Sequence, residues 1–285
     1  MSKVISYSLF GYGRQPSQGS FEFNTYMRGM WTNMRVNRVI YPDWKMVVNV
    51  DHNTFKGEYR PVFDWMIGNG VEFASRNDAS LCVSMLWRTG PIFEIENGDH
   101  KYTHVLCRDI DSITTYREAQ MVQEWINEDK TIHCITDSIS HNIPMMGGMI
   151  GFRPGHFMAR SGVRSFDQLM NIARDSRIDF NRKGSDQDFL NRYIYPNHAD
   201  SATEHFILGM KHTVPEGGGR HYRVPDIELQ GVDPEQKCTN DLAGHVGAAG
   251  CYEPVMVRWL NTMDPYRDEY AEIERQFPKL FFWRQ

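Results

Sequence analysis

The chain has no long apolar run. No segment approaches the ~18 consecutive apolar residues of a bilayer-spanning helix. Met1 to Phe10, with Lys3 as its one charged side chain, lacks a cleavage-site pattern and reads as a first strand rather than a signal peptide. Cysteine is scarce. The five residues, Cys82, Cys107, Cys134, Cys238 and Cys251, are odd in number and include no Cys-x-x-Cys pair. That argues against a disulfide framework or a cysteine zinc site, and for buried free thiols in a reducing compartment. Lys and Arg number 31 against 36 Asp and Glu, a formal net charge of −5. No long basic stripe forms, so nucleic acid is not an expected partner. Internal repeats, low-complexity segments and obvious linkers are missing as well. The expectation is a soluble, cytoplasmic protein without a transmembrane segment. His100 and His104 are four apart, but their segment looks extended, which speaks against a helical metal pair.

What is present is an alternation of strand and helix patterns. Val4–Phe10 reads as a buried strand that runs into a loop from Gly11 to Ser20. A helix follows over Phe21–Ile40, with Pro42 beyond its end, and then a strand over Lys45–Val50 ending at Asp51. The pattern continues with a helix from Arg60 to Ile67, a brief strand at Val71–Phe73 and a helix from Ala79 to Arg88. Later helices are expected at Tyr116–Asn127, Phe166–Arg174, Asp186–Ile194 and Tyr266–Gln276, and strands at Thr131–Thr136, Met149–Phe152 and His205–Met210. Such alternation predicts an α/β fold with a mostly parallel sheet flanked by helices. At 285 residues it can form one large domain. The expected division is 1–261, with halves 1–112 and 113–261, followed by a C-terminal helix and the aromatic tail Phe281-Phe282-Trp283 at 262–285.

The segment Thr103-His104-Val105-Leu106-Cys107-Arg108-Asp109-Ile110-Asp111-Ser112 carries the strongest chemical signal. If it is all strand, Asp109 and Asp111 share a face while Ile110 points into the core. Paired carboxylates repel each other and suit a divalent cation, which can clamp a diphosphate. Chance alone supplies about one or two Asp-x-Asp matches in a chain of this composition, and Asp186-Gln187-Asp188 is a second. Position adds weight. Asp51, the Phe10-Gly11 turn and the Asp109/Asp111 pair all fall at expected strand ends, where α/β sheets bind ligands.

Several segments together resemble the GT-A-type glycosyltransferases, in particular bacterial and viral sugar transferases with a DxD motif. They are Ile5-Ser6-Tyr7-Ser8-Leu9-Phe10-Gly11, Tyr41-Pro42-Asp43-Trp44, Ser84-Met85-Leu86-Trp87-Arg88, Arg108-Asp109-Ile110-Asp111-Ser112, Pro144-Met145-Met146-Gly147-Gly148-Met149-Ile150-Gly151 and Gly184-Ser185-Asp186-Gln187-Asp188-Phe189-Leu190. A fainter echo lies at His245-Val246-Gly247. The resemblance implies a GT-A, Rossmann-like mixed sheet in a single domain with an irregular C-terminal part. It implies metal-dependent transfer of a hexosyl or deoxyhexosyl group from a nucleotide-diphosphate donor, by default a UDP-sugar, to a hydroxyl of a glycan or glycoconjugate.

The same resemblance assigns roles. Asp109, Asp111 and His245 would hold Mn²⁺ or Mg²⁺. Tyr7, Leu9, Phe10, Gly11 and Asp51 would flank the base and ribose. Arg88 and Ile110 would lie at the diphosphate and donor sugar, with Gly147 and Gly148 admitting the sugar or acceptor. Asp186 and Gln187 would contact the donor sugar, and Asp186 and Asp188 would be catalytic. The Asp-Gln-Asp run is similar to the retaining galactosyltransferase and glycogenin-like branch, so retention is favoured over inversion. The lysine that usually follows the histidine in that branch is missing after His245.

Each assignment has a structural alternative. Asp51 could be a turn residue, Arg88 a charge at a helix C-terminus, Gly147-Gly148 a plain turn, Ser185 or Asp186 a helix cap, and His245 a surface histidine. Trp259 and the aromatic tail could pack in the core or stack on sugars. Two rival functions also stand. One is a haloacid-dehalogenase-type phosphohydrolase using Asp109 and Asp111, disfavoured because about 100 residues precede the motif and Ile113 stands where Thr or Val is usual. The other is an inactive nucleotide-sugar-binding protein. The glycine-rich run Glu216–Arg220 is expected to order over a bound donor.

Overall fold

The computed structural model describes residues 2–11, 23–77, 82–136, 143–206, 220–223 and 254–284, the backbone alone for 220–223 and 254–255. His245, Cys238, Cys251, Glu216–Gly219 and the expected strand residues 207–210 lie outside the described residues. The strands are β1 (Ser2–Leu9), β2 (Trp44–Asp51), β3 (Glu72–Arg76), β4 (Ile95–Glu96), β5 (Asp99–His100), β6 (Tyr102–Arg108), β7 (Ile132–Thr136), β8 (Met149–Phe152), β9 (Ala202–Phe206) and β10 (Arg220–Arg223). β4 and β5 form a small separate hairpin, and the rest form an eight-stranded sheet in the order β10-β9-β7-β8-β6-β1-β2-β3. All neighbours in it run parallel except β8, which is antiparallel to both β6 and β7. The expected α/β class, a mixed and mostly parallel sheet flanked by helices, is what the structure has.

Both faces of the sheet are covered, which is why its strands read as nearly continuous apolar runs. Ile5, Tyr7 and Leu9 of β1, Met46 and Val48 of β2 and Leu106 of β6 pack under α1 (Phe23–Ile40). Val4, Val47, Val105 and Cys107 face the other way, onto Val83–Phe93, α5 (Pro154–Ser161) and α6 (Phe166–Asp175). Cys82, Cys107 and Cys134 are buried free thiols, as expected. Between the strands run α2 (His52–Lys56), α3 (Arg60–Gly68), α4 (Tyr116–Glu128) and α7 (Ser185–Phe189). The start of α4 is fixed by Thr115, whose side chain accepts from Glu118 N. The helix α5 was not anticipated, although Pro154 at its first turn and Gly162 beyond its end (φ +70°) mark it.

Two elements differ from expectation. The segment expected as an α-helix ending at Arg88 is a 3₁₀ helix from Val83 to Phe93. Pro91 brings no N–H to an α-helical ladder, and the Ser8 hydroxyl donates to Met85 O (3.4 Å) while accepting from Arg88 N (3.1 Å). The strand expected from His205 is β9, which begins three residues earlier. The C-terminal segment shares the core under α1: Tyr270, Ile273, Leu280, Phe281 and Trp283 pack there. Its charges enter too. Fully buried Arg35 donates to Asp264, Glu274 and Leu260 O, each at 2.6 Å. Trp259 is buried in the same cluster, so packing accounts for it and for Phe281 and Trp283.

Candidate active site

β1 lies between β2 and β6, so the sheet grows one way through β2 and β3 and the other way through β6. A crevice outside the carboxyl ends of strands at such a reversal is the ligand position of open α/β sheets. Phe10-Gly11, Asp51 and Asp109 follow or close β1, β2 and β6 there.

Asp109 is the first residue past β6. Asp109-Ile110-Asp111-Ser112 is a turn, with Ser112 N donating to Asp109 O at 3.2 Å, and not a continuation of the strand. Ile110 is buried in the core, so its side chain does not reach the diphosphate or donor sugar that the resemblance implied for it. The turn rests on α1 because residue 29 is glycine: a Cβ there would stand 2.8 Å from Asp111 Cα and closer still to Ile110 O.

Pairing explains the next neighbours. Antiparallel β8 sets Met149 opposite Arg108, which brings Gly148 beside Asp109. A Cβ on Gly148 would lie 2.7 Å from Asp109 Oδ1, and one on Gly147 would overlap Arg88 and Asp186. These glycines therefore sit where the two carboxylates and the guanidinium need the room. Asn191 holds the approach to them, accepting from Met145 N (3.0 Å) and donating to Met145 O (2.9 Å).

Arg88 joins two of the carboxylates. Its Nη1 pairs with Asp109 Oδ1, and its Nη2 donates to Asp186 Oδ2 at 2.7 Å. The Arg88 side chain is 4% exposed and that of Asp186 2%, whereas that of Asp109 is 40% exposed. Burial depresses the guanidinium pKa, but the charges of Asp109 and Asp186 outweigh it and hold Arg88 above its ordinary value. Burial pushes Asp186 up, against the pull of Arg88. Burial and then the charge of Asp109 push Asp111 up to about 6. Tyr26 borders the pair, its phenol raised by burial and then by Asp111 and Asp109.

Several expected contacts are relocated. Tyr7 is fully buried on the α1 side, its hydroxyl accepting from Asn37 Nδ2 (2.9 Å) and its carbonyl from Asn49 Nδ2 (3.0 Å). Leu9 points the same way and is buried, because residues two apart on a strand share a face. Neither side chain reaches the crevice. Phe10 does lie at the strand end, edge-on to Trp87 at 5.8 Å. Asp51 caps α2, accepting from Thr54 N (2.9 Å) and Thr54 Oγ1 (2.6 Å), and also accepts from Gly11 N (3.0 Å), where φ is +94°. It thus ties the ends of β1 and β2 together. Asp188 is turned away from Asp186 and paired with Arg182, since residues two apart on a helix do not share a face. Gln187 is half-buried and offers its carbonyl to Asn191 Nδ2 (2.8 Å).

Among the described residues, no three His, Cys, Asp or Glu side chains converge as a metal cluster. Asp109 and Asp111 are nevertheless suited to a hard divalent cation. Asp111 is pushed toward its neutral form by burial and by its neighbour, and no described cation pairs with it. Gly29 and Asn191 escaped the sequence reading, although a glycine inside a helical pattern, costing about 1 kcal/mol against alanine, is itself a signal of close packing.

No family model and no curated protein sequence matches the chain. Among solved structures it is similar to the glycosyltransferase GlyE of Streptococcus pneumoniae TIGR4, with a TM-score of 0.45 and 12% identity over 70% of this chain and 44% of that one. The chain thus spans less than half the length of GlyE. It is also similar to mouse xyloside xylosyltransferase 1, with a TM-score of 0.35 and 8% identity over 72% and 84% of the two chains. The 4-diphosphocytidyl-2C-methyl-D-erythritol synthase of Anaerococcus prevotii gives a TM-score of 0.36 and 10% identity over 67% and 83%. Likenesses this distant assign no activity. No described helix is long and apolar enough to cross a membrane.

Proposed function

We propose that this protein is a metal-dependent glycosyltransferase that moves a sugar from a nucleotide-diphosphate donor, by default a UDP-sugar, to a hydroxyl of a glycan or glycoconjugate. One observation carries the reading. Arg88 joins Asp109, just past the end of β6, to Asp186 of α7, and Asp111, two residues on from Asp109, has no ion pair among the described residues. Asp109 and Asp111 would hold Mn²⁺ or Mg²⁺, which when bound offsets the charge that develops on a departing nucleoside diphosphate. His245 stays a candidate third ligand.

The chain's own residues divide the remaining work. Phe10, Gly11 and Asp51 line the β1 and β2 ends, where base and ribose would lie. Gly147 and Gly148 leave the floor beside Asp109 and Asp186 free of side chains. Arg88 holds Asp109 and Asp186 in one orientation. Asp186 is the residue assigned to the donor sugar. Asp188, held by Arg182, has no part in this arrangement.

The test is turnover of a panel of UDP- and other nucleotide-sugars with Mn²⁺, for the wild type and for Asp109→Asn and Asp111→Asn. The reading requires turnover that EDTA and both substitutions abolish. Unchanged turnover under all three treatments would refute the metal mechanism. Phosphate release from a simple phosphomonoester with no nucleotide sugar present would favour the phosphohydrolase instead.

A further inference from the structure

Two buried backbone carbonyls in the turn that carries Asp109 and Asp111 are satisfied by one side chain. Asn33 of α1 is fully buried. Its Nδ2 donates to Ile110 O (3.0 Å) and Ser112 O (2.9 Å), and its Oδ1 accepts from Thr114 N (3.2 Å). The amide orientation is fixed by these partners, because turning it over would set oxygen against two carbonyls and an N–H against an N–H. Asn33 and Gly29 are one helical turn apart and share a face. Gly29 admits the turn against the helix, and Asn33 grips it at alternate residues. Two positions on, Arg35 is locked to Asp264 and Glu274 of the C-terminal segment, so the helix that holds the turn is itself anchored from behind.

We infer that Asn33 is a positioning residue for the Asp109–Asp111 turn, setting the directions of both carboxylates through the backbone rather than by touching a ligand. The inference rests on the reading above only for what the turn binds. α1 supplies its own control. Asn37, one turn further and also buried, donates to Tyr7 Oη (2.9 Å) and, among the described residues, makes no hydrogen bond to residues 109–112.

Asn33→Leu and Asn37→Leu are compared by melting temperature, by amide hydrogen exchange over residues 109–114, and by titration with Mn²⁺ in the presence of UDP. Both variants should lose stability. Asn33→Leu alone should speed exchange in 109–114 and weaken Mn²⁺ binding by about tenfold or more, the usual size of effect for groups that orient metal ligands. Unchanged exchange in Asn33→Leu, or equal effects of the two substitutions on exchange and Mn²⁺ affinity, would overturn the inference. If the wild type binds no Mn²⁺, the functional reading fails while the exchange comparison still judges the positioning. If Asn33→Leu does not fold, Gly29→Ala takes its place. It keeps the amide but presses on Ile110 O, and it should produce the same selective loosening; a turn as protected as in the wild type would count against the clamp.

Discussion

Replacing Arg88 with Met should destabilise the protein strongly, and more at neutral than at acid pH. The side chain makes two ion pairs of unequal weight. The bond to Asp109 reaches a carboxylate that is 40% exposed, so solvent screens it and its loss counts for little. The bond to Asp186 is closed off from water on both sides. Removing one partner of such a pair leaves an uncompensated buried charge, at a cost of about 3–5 kcal/mol. The pH dependence follows from Asp186, whose carboxyl already lies above its ordinary value through burial, with Arg88 as the main counterweight. A carboxyl raised in the folded state favours the fold at low pH, and that contribution disappears as pH climbs from the ordinary carboxylate range through the folded value. Without Arg88 the folded value rises further, so the penalty grows toward neutral pH and shrinks as Asp186 takes up a proton. Urea unfolding of wild type and Arg88→Met near pH 7.5 and near pH 5 measures both effects. A loss below about 1 kcal/mol, outside the range for a severed buried pair, or a loss of equal size at the two pH values, would refute the burial and pairing assigned here.

Asp111, pushed up to about 6 by burial and by Asp109, favours the fold only below the ordinary carboxylate range and loses that contribution as pH rises through its folded value. Asp111→Asn should therefore raise the melting temperature near pH 7.5 and leave it unchanged near pH 4; equal shifts at both would contradict the assignment. Gly148→Ala, which sets a Cβ 2.7 Å from Asp109 Oδ1, should lower glycosyl transfer by about 10²-fold through misplacement of a reacting group, with a small change in melting temperature. Transfer within about twofold of wild type would show that Asp109 does not act from this position.

Much of the fold is written locally. The strands of the first half are apolar runs with covered faces, and such runs show in one dimension. The candidate site is legible to the extent that it consists of strand ends: Gly11, Asp51 and Asp109 are found by asking where β1, β2 and β6 stop. What failed were inferences about side-chain direction. A continuing strand would set Asp109 and Asp111 on one face, but β6 ends at Arg108 and the pair sits in a turn. Asp186 and Asp188 stand two apart on α7, where helical geometry separates them. The 3₁₀ segment Val83–Phe93 is bonded at Met85 O and Arg88 N by the hydroxyl of Ser8, some eighty residues away, which no local window contains.

Periodicity and apolar runs are properties of short segments, so the α/β class, the strand termini and the residue types available at them can be read along the chain. Which of those residues meet is a matter of long-range contacts. Antiparallel β8 carries Gly147 and Gly148 to Asp109, Arg88 is buried between Asp109 and Asp186, and α1 is fixed between the Asp109–Asp111 turn and the C-terminal ion cluster. Those meetings are set by pairing register and by the requirement that buried polar groups find partners, and both act between segments that the chain order keeps far apart.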